Sequence, residues 1–129
     1  MKKVITCLLA VLGLSSACSR GHKYYEDADV NGFAELMADT DVFVLDARTA
    51  EEFNSGHIER ATCIDVKKAD FLKKAKSVLP ADKTIAVYCR GGRRSAKACT
   101  WLSAAGYKCV NLEGGITAWI AAGKPVTKE

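Results

Sequence analysis

Short apolar runs alternate along the chain with segments that carry helix signals, and this alternation restricts the fold more than any other feature. The runs have the length and β-branched content of buried strands, and they lie at 41–46, 63–66, 85–89 and 107–112. The helical segments lie at 33–37, 49–54, 69–79, 94–105 and 116–122. The alternation predicts an α/β fold: a mainly parallel sheet of four to five strands, flanked by helices on both faces.

Polar caps and a glycine mark the ends of several predicted helices. Thr49 precedes the second helix, and Glu52 takes the capping-box position. Either Asp29 or Asn31 caps the first helix. Gly106 lies where a glycine commonly ends a helix.

The first residues are typical of an export signal. Lys2 and Lys3 precede an apolar run at 4–14, and small residues follow at 15–17. The run is too short to cross a bilayer. We predict that residues 1–17 are a signal peptide and that the mature protein is exported, either free in the periplasm or anchored in a membrane and facing the periplasm.

Cys18 follows the small residues and is similar to the cysteine of a bacterial lipoprotein box, which receives lipid at the new N-terminus. Ser15 stands where that box usually has leucine. Two outcomes stay open, a membrane tether through lipidated Cys18 and a soluble product that begins at Cys18. The rest divides into an exposed linker at 18–28, one domain at 29–126 and a tail at 127–129.

The charge distribution favours a small anionic ligand. The formal net charge of +4 includes Lys2 and Lys3, so removal of the signal peptide leaves +2. This charge is too small to predict a nucleic-acid partner. The local concentration of Arg90, Arg93 and Arg94 instead suits a small anion. We expect a monomer.

The chain has six cysteines, of which Cys7 leaves with the predicted signal peptide. The others beyond Cys18 are Cys63, Cys89, Cys99 and Cys109. They form no C-x-x-C pair and no cysteine–histidine set, so we predict no metal site and no cofactor. Cys99 and Cys109 are interpreted as small buried groups, with a disulfide between them as the alternative.

The segment 89–95 is the strongest candidate for chemistry. Cys89 ends the most apolar strand, two glycines open a loop, and a helix begins directly afterwards. Backbone amides and the positive end of the helix then favour an anion, and they favour a thiolate over a thiol. We predict Cys89 as the nucleophile. The candidate substrate-binding residues are Arg90, Gly91, Gly92, Arg93, Arg94 and Ser95.

Residues 42–126 resemble the rhodanese-like domains. The segments 44–48, 51–53 and 56–58 are similar to that family's first signature, and 112–115 with 123–126 to its closing one. The loop at 89–95 resembles that of the members with a catalytic cysteine. Two positions depart from the family: Arg60 replaces a common glycine, and Cys63 replaces a common small polar residue. A long cation at position 60 is expected to alter the docking of the acceptor.

The resemblance implies a two-step sulfur transfer. The Cys89 thiolate attacks the sulfane sulfur of a donor such as thiosulfate, sulfite leaves, and a persulfide remains on Cys89. The resemblance also implies that the loop amides stabilise this persulfide while Arg90, Arg93 and Arg94 hold the sulfonate. A thiol or cyanide acceptor then removes the outer sulfur, and no cofactor takes part.

Charged residues near other strand ends are expected to be structural. Arg48 lies four residues before Glu52 and is interpreted as a tie to the short helix beside Asp46. His57 is interpreted as a hydrogen-bonding structural residue, because transfer to a thiolate needs no general base.

Three rival functions are weighed against sulfur transfer. A cysteine phosphatase or an arsenate reductase also presents a thiolate in an anion-binding loop, but phosphatases have arginine six positions after the cysteine, where this chain has Ser95. A non-catalytic sulfur carrier or envelope binding module has no requirement for the full cationic loop around Cys89.

Overall fold

The computed structural model describes residues 24–129, so the predicted signal peptide at 1–17 and Cys18 lie outside the described residues. Five strands form one sheet: β1 (Glu26–Ala28), β2 (Phe43–Asp46), β3 (Thr62–Cys63), β4 (Thr84–Tyr88) and β5 (Lys108–Leu112). Their order is β1-β5-β4-β2-β3, and every neighbouring pair is parallel. The predicted parallel α/β fold is confirmed.

Four helices connect the strands, α1 (Val30–Met37), α2 (Ala50–Asn54), α3 (Phe71–Val78) and α4 (Arg93–Ala104), and α5 (Gly115–Ala121) follows the last strand. Asp29 caps α1, since its carboxylate accepts the Gly32 amide at 2.8 Å, so Asn31 is not the cap. Thr49 and Glu52 form the predicted reciprocal capping box at α2. These two N-caps define the residues at which α1 and α2 begin.

The sheet separates two apolar cores. On one face, Phe71 and Ala75 of α3 and Leu102 of α4 pack against side chains such as Leu45. On the other face, α1 and α5 supply Phe33, Ile116 and Trp119, which pack against alternate residues of the same strands. Burial of both faces explains why the central strands read as continuous apolar runs.

β1 was not predicted, because residues 24–28 lack an apolar run and were assigned to an exposed linker. Glu26–Ala28 instead pair with Val110–Leu112 of β5 and form one edge of the sheet. Glu26 and Asp27 are exposed, as the edge position allows. Backbone pairing to an existing strand creates β1, and this is a tertiary contact that local composition does not encode.

Arg60 precedes β3 and lies on the side of the sheet where the strands begin. Cys89 lies on the opposite side, where β4 ends. Its φ of 75° is left-handed, the conformation that glycine adopts without strain. The guanidinium donates to the carbonyl oxygens of Met37 and Val42 at 2.6 and 2.9 Å. The Arg60 side chain thus binds the carboxyl end of α1, and these contacts give no support to the expectation that Arg60 alters the docking of the acceptor.

No helix within residues 24–129 is long and apolar enough to cross a membrane.

Candidate active site

Cys89 is the first residue after β4 and is only 1% exposed. Its sulfur accepts two hydrogen bonds, from the Gly92 amide at 3.1 Å and from the Ser95 hydroxyl at 3.2 Å. Gly92 takes a left-handed φ of 106° and caps α4, so the chain turns back towards the sulfur within three residues. The predicted loop thus closes around Cys89 as an amide and hydroxyl cradle.

The first turn of α4 supplies the field at this cradle. Ser95 lies in that turn and is fully buried. The first amides of a helix have no intrahelical acceptors, and they carry the positive end of the helix dipole. A negative charge on the Cys89 sulfur, or on a second sulfur bonded to it, is therefore stabilised by α4.

The N-terminus of α5 holds the loop from its other side. The Ile116 amide donates to the Cys89 carbonyl at 2.9 Å, and the Thr117 amide donates to the Arg90 carbonyl at 3.1 Å. Gly115 has a φ of 60°, and a Cβ atom there would overlap the Arg90 carbonyl. These groups were absent from the predicted site, although the pair Gly114-Gly115 after β5 was a visible signal of close backbone approach.

Arg94 is already engaged by a carboxylate. Its two terminal nitrogens donate to the two carboxylate oxygens of Glu52 at 2.8 and 2.9 Å. The hydrogen bonds from Arg94 hold the pKa of Glu52 at about 2, well below its usual range, despite partial burial. The sequence predicts Arg94 as a substrate-binding residue, but in the structure its guanidinium ties α2 to the loop.

Arg90 and Arg93 are exposed, and within residues 24–129 neither guanidinium group makes a hydrogen bond or an ion pair. They flank the cradle at the start of α4. Of the three arginines predicted to hold the substrate anion, these two therefore have free guanidinium groups, and Arg94 does not.

A buried ion pair lies beneath the loop. Arg48 donates to both carboxylate oxygens of Asp46, the shorter contact being 2.7 Å, and also to the Gly56 carbonyl at 2.8 Å. Tyr88 lies under the Arg48 guanidinium, and its hydroxyl accepts the Ile58 amide at 3.0 Å. The prediction that Arg48 pairs with Glu52 is wrong, because Arg48 pairs with Asp46. The interpretation of Arg48 as a structural residue agrees with these contacts.

His57 makes contacts that fix the backbone. Its ring stacks on Phe53 with centroids 3.7 Å apart, and Nδ1 lies 3.0 Å from the Phe53 carbonyl. Its amide and carbonyl pair with those of Thr127. These contacts account for the buried ring without a part in chemistry.

Asn111 of β5 is a polar contact to the loop that was not predicted. Its buried amide nitrogen lies 3.1 Å from the Asp27 carboxylate and 3.5 Å from the Gly92 carbonyl. The side chain thus connects β1 to the residue that caps α4. A polar residue between two apolar residues of the strand, Val110 and Leu112, is the sequence signal for it.

The other described cysteines differ from Cys89 in their surroundings. The Cys63 thiol donates to the Arg48 carbonyl at 3.3 Å, and burial raises its pKa to about 11. Cys99 and Cys109 are buried free thiols, and the alternative disulfide between them is not formed. The Cys89 sulfur accepts from a backbone amide and a hydroxyl, whereas the Cys63 thiol donates to a carbonyl. Within residues 24–129, no cluster of side chains could hold a metal ion.

A parallel α/β domain that holds a hydrogen-bonded thiol beyond the carboxyl end of a central strand is typical of α/β proteins with a candidate active-site cysteine. The particular family follows from comparison with known proteins. The model of the rhodanese-like domain matches residues 29–122, and the chain belongs to this family.

Curated relatives and solved structures agree with this assignment. A sulfurtransferase of Allochromatium vinosum is 35% identical over 102 residues, which cover 78% of this chain and 92% of that protein. Thiosulfate sulfurtransferase 18 of Arabidopsis thaliana is 40% identical over 97 residues, covering 66% and 71%. The crystal structure of a rhodanese-related protein from Thermoplasma volcanium superposes with a TM-score of 0.72 at 34% identity, covering 81% of this chain and all of that one.

Proposed function

We propose that the protein is a sulfurtransferase that moves a sulfane sulfur from thiosulfate or a similar donor to a thiol or cyanide through a persulfide on Cys89. The observation that carries the proposal is the cradle, in which the Gly92 amide and the Ser95 hydroxyl both donate to the Cys89 sulfur. Relatives named as sulfurtransferases support the same reaction class.

In the first step, the Cys89 thiolate attacks the outer sulfur of thiosulfate. A new S–S bond forms, the old S–S bond breaks, and its electron pair leaves with sulfite. The persulfide anion that remains lies against the amide and hydroxyl donors and the positive end of α4, which stabilise its charge. Arg90 and Arg93, which are exposed, would attract the sulfonate of the donor.

In the second step, the acceptor thiolate attacks the outer sulfur of the persulfide. The S–S bond to Cys89 breaks and its electron pair returns to the Cys89 sulfur, so the enzyme recovers its thiolate. Each step exchanges one S–S bond for another or for a C–S bond to cyanide, and no external oxidant, metal or organic cofactor is required.

The cradle also favours sulfur over phosphate. The sixth residue after the cysteine is Ser95, whose hydroxyl is already bonded to the sulfur, and Arg94 is engaged by Glu52. The donors close on a single sulfur atom, which leaves less room for a tetrahedral phosphoryl group. A binding module without chemistry would not need these donors on a buried thiol.

Mass spectrometry of the purified protein tests the proposal. Incubation with thiosulfate should add one sulfur atom to the peptide that contains Cys89, and cyanide should remove it with release of thiocyanate. The Cys89→Ser protein is the control. Brisk hydrolysis of aryl phosphates by a protein that never gains sulfur from thiosulfate, mercaptopyruvate or polysulfide would overturn the proposal.

A further inference from the structure

α4 presents three exposed residues in a line that starts beside the active loop. Arg93, Lys97 and Trp101 are spaced four residues apart, so they lie on one face of the helix. We call these three residues the basic stripe. Arg93 and Lys97 are exposed, and Trp101 is 42% exposed. The basic stripe therefore runs along the surface from Cys89.

The charge of the basic stripe is not compensated. α4 contains no acidic residue. Within residues 24–129, Arg93 and Lys97 form no ion pair, in contrast to the adjacent Arg94, which is bound by Glu52. Two cations four residues apart on a helix repel each other. An anionic partner that lies over them would relieve this repulsion.

Trp101 adds an apolar contact at the far end of the basic stripe. The inner part of its ring lies against Phe71, with centroids 6.2 Å apart, and the Lys97 ammonium lies 5.7 Å from the ring centroid. The ring is thus held between the core and a cation. Tryptophan and arginine are the residues most often found at the energetic centres of protein interfaces.

We propose that the basic stripe is the docking surface for the sulfur acceptor, and that this acceptor is an acidic protein segment that carries a thiol. This inference rests on the proposed sulfur transfer. The segment would place its thiol at Cys89, its carboxylates on Arg93 and Lys97, and an apolar side chain on Trp101. The outer sulfur then passes to the acceptor thiolate as described above, with the electron pair of the broken S–S bond returning to Cys89.

The dimensions fit a short extended peptide. Eight residues of helix separate Arg93 from Trp101, a rise of about 12 Å. Four residues of extended chain span about 13 Å. A nucleic acid is a poorer match, because two cations release too few counterions for useful affinity.

Persulfide transfer to designed acceptors tests this docking. The wild-type protein is loaded with thiosulfate and mixed with a capped peptide Cys-Glu-Glu-Leu, with its lysine counterpart Cys-Lys-Lys-Leu, or with mercaptoethanol. Lys97→Glu should slow transfer to the acidic peptide by about tenfold and leave transfer to mercaptoethanol within about twofold. Lys76→Glu on α3 is the matched control, because it makes the same charge change on another exposed helical lysine.

Binding without chemistry keeps the docking separate from the sulfur transfer. The serine analogue Ser-Glu-Glu-Leu should shift the NMR signal of the Trp101 indole, and the shift should weaken with salt and disappear in Lys97→Glu. Equal losses with all acceptors, a Lys76→Glu effect as large as that of Lys97→Glu, or tighter binding of single-stranded DNA than of the acidic peptide would overturn the proposal. If the peptide binds but Cys89 never gains sulfur, the proposed function fails, and the basic stripe is then a site for acidic peptides and not for a sulfur acceptor.

Discussion

At the scale of single residues, the proposed sulfur transfer depends on the hydrogen bonds that the protein donates to the Cys89 sulfur. The side chain is nearly inaccessible to water. Donors from Gly92 and Ser95 replace the lost water. Within residues 24–129, the Cys63 sulfur has no such donors, and its thiol donates a hydrogen bond to the Arg48 carbonyl. The contrast between these two thiols predicts which one reacts.

Cys89→Ser should fold and lose sulfur transfer by a factor on the order of 10³ or more, because an alcohol is not ionised where a thiol is. Cys63→Ser should keep most activity. Steady-state thiocyanate formation and circular dichroism measure the two effects. Activity in Cys89→Ser, or loss of activity only in Cys63→Ser, would place the nucleophile elsewhere.

The ion pair of Glu52 and Arg94 should make stability depend on acid pH. Because the pKa of Glu52 is lowered from 4.5 to about 2 in the folded protein, the pair stabilises the fold above pH 4.5, and this contribution is lost as the pH falls from 4.5 to 2. Thermal unfolding across this range should show wild type losing its advantage over Glu52→Gln. An advantage that is unchanged at pH 2 would contradict the assignment.

The same pair distinguishes two roles for Arg94. If Arg94 ties α2 to the loop, Arg94→Ala and Glu52→Gln should both lower kcat for thiosulfate, to a similar extent, with smaller changes in KM. If Arg94 instead binds the donor, Glu52→Gln should release the guanidinium and improve KM. Steady-state kinetics of the two variants decides between these outcomes.

At the scale of elements, two helix N-termini meet at the loop. α4 supplies donors to the Cys89 sulfur, and α5 supplies donors to the carbonyls of Cys89 and Arg90. The carbonyls are thereby turned away from the sulfur, where they would repel a negative charge. This arrangement requires α5 to approach the loop backbone closely, and Gly115 is the residue that permits it.

Gly115→Ala should destabilise the fold and abolish most activity, because the new methyl group overlaps the Arg90 carbonyl. The expected cost is about 2–4 kcal/mol, from overpacking added to a left-handed backbone. Gly123→Ala is the matched control, since Gly123 also has a positive φ, of 81°, but nothing lies within 4 Å of its Cβ position. Urea denaturation and activity should separate the two variants, and equal effects would show that conformational strain alone explains both.

At the scale of the whole molecule, the amino and carboxyl ends of the parallel strands carry different groups of residues. Cys89 lies beyond the carboxyl ends of the strands, whereas Arg60 and the pairing of His57 with Thr127 lie before the amino end of β3. β1 is parallel to β5, so β1 also begins on the amino-terminal side of the sheet, and Cys89 lies on the carboxyl-terminal side.

We propose export with removal of residues 1–17, and the mass of the mature protein tests this. Cells that express the full chain should yield a membrane fraction with a diacylglyceryl group on Cys18, or a periplasmic product that begins at unmodified Cys18. Lipidated protein should become soluble in the Cys18→Ser variant. A protein that retains Met1 would contradict both forms of export.

Much of the fold was predictable because hydrophobic periodicity is a local property. The strands around Leu45 and Val87 are buried on both faces, so they appear as unbroken apolar runs, and Thr49, Glu52 and Gly106 mark helix ends through contacts within a few residues. The sequence does not predict β1, because this segment becomes a strand through its backbone pairing with the edge of β5.

The same division applies to the site. The sequence by itself determined where the candidate cysteine and its loop lie, since a strand end, two glycines and a helix start are adjacent along the chain. Only the tertiary structure decided that Glu52 takes Arg94, that Asn111 reaches Gly92, and that α5 holds the loop carbonyls. These contacts join residues far apart in the chain, and their partners are chosen by how the helices pack on the sheet.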